Sequence, residues 1–202
     1  MLRTCRVALL HGSAATRYLL ANLDNREACE RGRRILRTAR RSMRTIERLQ
    51  STGDLEGLAR LVREGTAHER LTAAWELGKR GEQGVRHLVP ILQEGQGEET
   101  WEAAMGLSRA GSLAVEPLIE ALATGKPETR TAAAWALEEI GDERAVEALI
   151  QALSDTDTFC RWTAAACLLR LGRDDGRQAA EEVLQKESEE ARGYIGILAE
   201  GS

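Results

Sequence analysis

Apolar residues recur along this chain with a helical step, and from residue 54 onward they recur at two scales at once. Within a segment they fall three or four residues apart, the spacing of one helix face. Between segments the same pattern returns about every 30 residues, the mark of a stacked repeat array. The clearest unit is Arg130 to Gly141, RTAAAWALEEIG; near-copies begin at Arg70 (RLTAAWELGKRG), Thr100 (TWEAAMGLSRAG) and Arg161 (RWTAAACLLRLG), at intervals of 30, 30 and 31 residues. A shorter apolar cluster precedes each, at residues 58–62, 88–92, 118–122 and 149–153, so one unit reads helix, polar turn, helix. Ser154-Asp155-Thr156-Asp157 is the clearest of these turns. A glycine closes each unit at 81, 111, 141 and 172, where a left-handed cap costs any other residue a Cβ clash.

A fifth copy is degenerate but in register, because Leu184 and Arg192 lie 31 residues after Leu153 and Arg161. ARGYIGILAEG reads as a terminal capping helix, with Glu181, Glu182, Glu187, Glu189 and Glu190 supplying the polar outer face that the end of an array needs. Ahead of the repeats, residues 1–23 read as two short helices broken at Gly12-Ser13. Asp24 to Glu27 forms a plausible capping box. A long helix then runs to about Gln50, its apolar stripe formed by Ala28, Gly32, Ile35, Ala39, Met43, Ile46 and Leu49. Ser51-Thr52-Gly53 ends it and Asp54 caps the next helix.

Composition agrees with a helical reading. Hydrophobic residues make up 43% of the 202 positions but aromatic residues only 3%, so Ala and Leu must fill the core and β-formers are thin. The chain is expected to be all-α, with a basic helical cap over residues 1–53 and a solenoid over 54–202 divided at 54–81, 82–111, 112–141, 142–172 and 173–202. The four cysteines, Cys5, Cys29, Cys160 and Cys167, show no CxxC spacing. They are expected as small buried hydrophobes in a reducing compartment. No apolar run suits a signal peptide or a membrane span, which makes the cytoplasm the expected location.

The quoted skeleton, R-x-x-A-x-x-x-L-x-x-x-G repeated through EPLIEALATGKPETRTAAAWALEEIGDERAVEALIQALSD, resembles the short HEAT-like repeat of phycobilisome lyase subunits over residues 54–202. The resemblance implies a right-handed α-solenoid, a superhelix of about five HEAT-like hairpins with an extra N-terminal helical cap. It also implies that the second helices form a concave inner wall. Scaffolds, assembly factors and a few enzymes share this repeat, so it fixes no single activity.

Numbering each second helix from its Arg as position zero, at 100° per residue, puts Ala at position 3 and Leu at position 7 toward a core near 300°. Positions 1 and 5 face the opposite side, and they hold all four tryptophans: Trp101 and Trp162 at position 1, Trp75 and Trp135 at position 5. Leu71, Met105, Thr131, Ala166 and Ile197 complete the ladder. Two readings stand side by side. Each Trp leans onto the next repeat and thickens the core, or the ladder lines a groove for a partner. On the second reading the binding residues are Leu71, Trp75, Trp101, Met105, Trp135 and Trp162, and the ligand is an amphipathic helix or an extended segment.

Charge divides the chain. Residues 1–50 hold 12 Arg against 4 acids, a net of +8, and residues 51–202 hold 16 basic against 28 acidic residues, a net of −12. Arg33, Arg34, Arg37, Arg40, Arg41 and Arg44 form a basic patch suited to an acidic partner or an intramolecular role. Nucleic acid is the weaker fit, because no aromatics interleave the arginines and the rest of the chain is acidic. The arginines at position zero, Arg70, Arg130, Arg161 and Arg192, are expected to tie down turn carbonyls and acids such as Asp155 or Asp157. His68-Glu69 resembles one iron-binding pair of the HEAT-like deoxyhypusine hydroxylase, but the equivalent positions are Glu98-Glu99, Glu128-Thr129 and Phe159-Cys160. One pair builds no such site, so no metal, no cofactor and no catalytic residue is assigned. The expected function is a non-catalytic scaffold or adaptor for protein binding. The alternative is a lyase or maturation factor for a cofactor-bearing protein, which the family resemblance alone suggests.

Overall fold

The computed structural model describes residues 26–200. Side chains are described from residue 42 onward, and before it at residues 30, 32, 33 and 36. The helices expected before Leu23, the capping box at Asp24, and the cysteines Cys5 and Cys29 lie outside the described residues. Every described element is helical. The chain divides into two compact units, Met1–Arg48 and Leu49–Ser202, and the division falls inside the first described helix.

That helix, α1, spans Arg26–Thr52. Its buried line runs through Ser42 and Ile46 to Leu49, residues four and three apart that lie within about 60° of one another on a helical wheel. Met43, expected on the apolar stripe, is 54% exposed. It sits about 100° around the helix from Ser42, and the small polar residue is the buried one. Gly53, at φ 67°, turns the chain out of α1, and the Asp54 carboxylate accepts a hydrogen bond from the Gly57 N–H at 2.8 Å to start the next helix.

Five helical hairpins follow: α2 (Leu55–Glu64) with α3 (Ala67–Gly78), α4 (Glu82–Glu94) with α5 (Glu98–Ala110), α6 (Val115–Thr124) with α7 (Pro127–Ile140), α8 (Ala145–Ala152) with α9 (Thr158–Leu171), and α10 (Asp174–Lys186) with α11 (Glu189–Glu200). A 3₁₀ turn, Gly111–Ala114, leads into α6. Local chemistry sets the starts. Thr66 donates its N–H to the Glu69 carboxylate at 2.9 Å ahead of α3, Pro127 opens α7, and Asp157 accepts from the Cys160 N–H at 2.9 Å ahead of α9. The closing glycines at 81, 111, 141 and 172 all have positive φ, between 62° and 71°; Gly141 and Gly172 are the expected left-handed caps, whereas Gly81 and Gly111 take ψ −138° and lead the chain into the next unit.

First helices and second helices form two layers, each element stacked on its counterpart in the next unit. Successive second helices pack on one another more extensively than successive first helices do. Small residues allow it: Ala73, Ala74, Ala103, Ala104, Ala132, Ala133, Ala134, Ala164 and Ala165 are all fully buried. One close approach joins α3 and α5, where a Cβ added at Gly78 would lie 2.2 Å from the Gly106 carbonyl oxygen. Leu58, Leu77, Leu88, Leu107, Leu118, Leu137, Leu149 and Leu168 fill the space between the layers.

The arginines at position zero stitch the turns. Arg130 grips Asp155 of the following unit with two hydrogen bonds of 2.6 Å and donates a third to its own turn carbonyl at Gly125. Arg70 does the same with Glu102, at 2.6 Å, with Glu98, and with the Gly65 carbonyl. Arg161 donates to the carbonyls of Asp155 and Thr156 and to the Thr158 hydroxyl. In the second unit Thr100 occupies this place, and its hydroxyl is buried without a partner.

Candidate functional site

The tryptophans lie on the second helices, and each one meets an element of a neighbouring unit. Trp101 on α5 makes an edge contact with Trp135 on α7, ring centroids 6.4 Å apart and planes at 66°. That geometry sets the positive ring edge of one against the negative face of the other. Trp162 on α9 lies 5.5 Å from Tyr194 on α11 and 6.1 Å from Phe159 on its own helix, and Phe159 and Tyr194 are themselves 5.7 Å apart. Trp75 on α3 has the Arg109 guanidinium of α5 over its ring at 5.5 Å, a cation–π contact.

Burial separates the four rings. Trp101, Trp135 and Trp162 are half-buried and pack against the core. The Trp162 indole nitrogen is buried with no hydrogen-bond partner. Trp75 is 44% exposed. Leu71 and Met105 are half-buried, while Thr131 and Ala166 are buried. The ladder is therefore one wall that both thickens the contacts between units and presents apolar surface. Its exposed ends are Trp75 at one side and Phe159, Tyr194 and Ile197 at the other.

Three participants were not among the residues expected from sequence. Phe159 lies at position −2, about 160° around the helix and three residues before Trp162, so the same angular count reaches it. Tyr194 lies at position 2, outside that arc, and meets Trp162 only because α11 stacks beside α9. Arg109 stands at position 9 and reaches Trp75 across the contact between α3 and α5.

Ionic contacts border this wall at the C-terminal ends of the helices. Lys79 pairs with Glu76 at 2.6 Å, and Arg170 of α9 pairs with Glu138 and Glu139 of α7 at 3.1 and 3.4 Å. Burial pushes the Glu138 carboxyl above the usual carboxylate range, against the pull of Arg170, and one of its oxygens has no hydrogen-bond partner. Glu102 is likewise raised, chiefly by burial, with Glu98 and Glu99 adding repulsion. Asp155 behaves oppositely and is held down at about 2, because Arg130 and the Asp157 N–H both bond its charged form.

Of the basic patch, Arg33 and Arg44 are exposed; the side chains of Arg34, Arg37, Arg40 and Arg41 lie outside the described residues. His68 is exposed. Among the described residues no three His, Cys, Asp or Glu side chains are grouped to hold a metal ion. Cys160 and Cys167 are buried free thiols, the first pushed up to about 12 by burial, so neither offers a ready thiolate. No described helix is long and apolar enough to cross a membrane.

Two layers of stacked helical hairpins define an α-solenoid repeat protein. Residues 115–195 match the family model described as HEAT repeats. Among solved structures it is similar to an engineered protein, at 23% identity over 76% of this chain and 81% of that one, with a TM-score of 0.44. It is also similar to a designed armadillo repeat protein in complex with a (KR)4 peptide, at 18% identity over 77% and 84%, with a TM-score of 0.40. No curated protein matches the chain.

Proposed function

We propose that this HEAT-repeat scaffold is a protein-binding adaptor whose partner lies along the tryptophan-lined face, on Leu71, Trp75, Trp101, Met105, Trp135 and Trp162. The observation that carries the reading is Trp75: it keeps 44% of its surface exposed at the head of a row whose other rings are half-covered by their neighbours. A large aromatic held in place by a cation–π contact loses little freedom when a partner covers it, which is what makes such residues binding hot spots. The fitting ligand is an amphipathic helix or an extended segment that lays apolar side chains across successive second helices.

Affinity capture with the wild-type chain and with a Trp75→Ala/Trp135→Ala variant tests this. A protein recovered by the first and lost by the second, at equal far-UV helicity, is the expected outcome. Equal recovery by both overturns the assignment of this face.

A further inference from the structure

We infer that the segment bound by this face is both apolar and acidic: beside the large side chain that covers Trp75 it carries an aspartate or glutamate, whose carboxylate meets the Arg109 guanidinium. The inference rests on the partner-binding reading above and adds the chemistry of the partner. Its ground is a comparison of Arg109 with Arg170, which hold the same place in α5 and α9, at position 9 of their second helices.

Arg170 is answered within the fold. It pairs with Glu138 and Glu139 of the preceding second helix at 3.1 and 3.4 Å. Those two acids stand at positions 8 and 9 of α7, and in α3 the same positions hold Gly78 and Lys79. Arg109 therefore leans on a helix that offers it a residue without a side chain and a second cation. Its Cβ lies against the bare backbone of Gly78, where an added Cβ would come within 2.9 Å of it, and its guanidinium rests over the Trp75 ring at 5.5 Å. Among the described residues no hydrogen bond or ion pair joins Arg109 to a carboxylate. Lys79, one turn beyond Trp75, pairs with Glu76 at 2.6 Å, but the cation is the exposed member, its side chain 50% accessible against 16% for the acid. The surroundings of Trp75 thus present positive charge, within a stretch, residues 51–202, whose net charge is −12.

These groups set what can cover the ring. An indole that is 44% exposed gains most from an apolar side chain laid on it. A guanidinium has N–H donors and no acceptor, and one lying over an aromatic face keeps its donor edge for a carboxylate, which it holds bidentately. A basic segment in the same place would set like charges beside Arg109 and Lys79.

A random peptide library displayed on phage and selected on the immobilised full chain supplies the probes, and synthetic copies of the recovered peptides are measured by fluorescence anisotropy. The recovered peptides are expected to carry an Asp or Glu next to a large apolar residue and to bind Trp75→Ala about tenfold or more weakly. Exchanging that acid for its amide is expected to weaken binding to wild type about fivefold and to leave binding to Arg109→Gln unchanged. The amide peptide is expected to bind wild type and Arg109→Gln about equally, which a misfolded variant would not do. Peptides that need Trp75 but are neutral or basic, an acid-to-amide exchange without effect on wild type, or one that costs as much on Arg109→Gln as on wild type overturns the acidic assignment and leaves the partner-binding face standing. Peptides that bind Trp75→Ala as well as wild type, or a library that yields no enriched binder, overturn both readings.

Discussion

Arg130 and Asp155 show how single side chains bind one unit to the next. The Asp155 side chain is 10% exposed and held at about 2, below the ordinary carboxylate value, so the folded state releases its proton more readily than the unfolded chain. The resulting stability, about 2 kcal/mol, is fully present above the unfolded value near pH 4 and is lost as the pH falls through 2. Asp155→Asn is expected to be less stable than wild type near neutral pH, and the gap is expected to narrow between pH 4 and pH 2, as read by urea denaturation at each pH. Glu138 has the opposite sign. Its carboxyl is raised by burial, so its contribution falls as the pH rises above the ordinary glutamate value. The midpoint of thermal unfolding of Glu138→Gln is expected to gain on wild type between pH 4 and pH 7. A constant difference across that interval contradicts the assignment.

At the scale of elements, the repeat depends on how near two helices come. Replacing a helical glycine by alanine ordinarily favours the helix, by up to about 1 kcal/mol in its interior and less at its last residue. At Gly78 the added Cβ would strike the Gly106 carbonyl oxygen, a backbone atom that moves only if α5 moves. Gly78→Ala is therefore expected to destabilise the protein by ~2 kcal/mol or more in chemical denaturation, reversing the propensity effect. The same closeness turns the tryptophans into contacts between units. Trp101 and Trp135, which the angular count puts on the face away from the core, are half-buried and pack against it; the count does not reach that packing. It does not show that the two rings meet at 6.4 Å, because the distance between α5 and α7 is set by residues on other faces, such as Ala104 and Ala134.

Taken whole, the Leu49–Ser202 unit is a one-dimensional array in which each hairpin contacts chiefly its neighbours, so its stability follows nearest-neighbour terms. A cavity in the middle is felt by both sides, while one at an end frees only that end. Leu107 and Ile195 are both fully buried, and truncating either to Ala removes a similar side chain at about 2–5 kcal/mol. Hydrogen exchange is expected to distinguish them. Ile195→Ala should speed exchange in α10 and α11 and leave α4 to α7 protected; Leu107→Ala should lower protection across the array. Uniform loss in both variants contradicts local coupling.

The hydrophobic period, the alternation of helix and turn, the closing glycines and the arginines at position zero were all legible in the sequence. Each is a local instruction: a helical step, a positive φ, or a cation beside its own turn carbonyl, as at Arg130 and Gly125. These were enough for an all-α solenoid of HEAT-like hairpins. The tertiary structure decided what depends on neighbouring units. It left Trp75 exposed and half-covered the other three rings, brought Tyr194 to Trp162, and buried Ser42 while leaving Met43 exposed. One helix alone does not encode such outcomes, because burial and pairing arise from the spacing and register between elements, which are set by contacts distant in sequence.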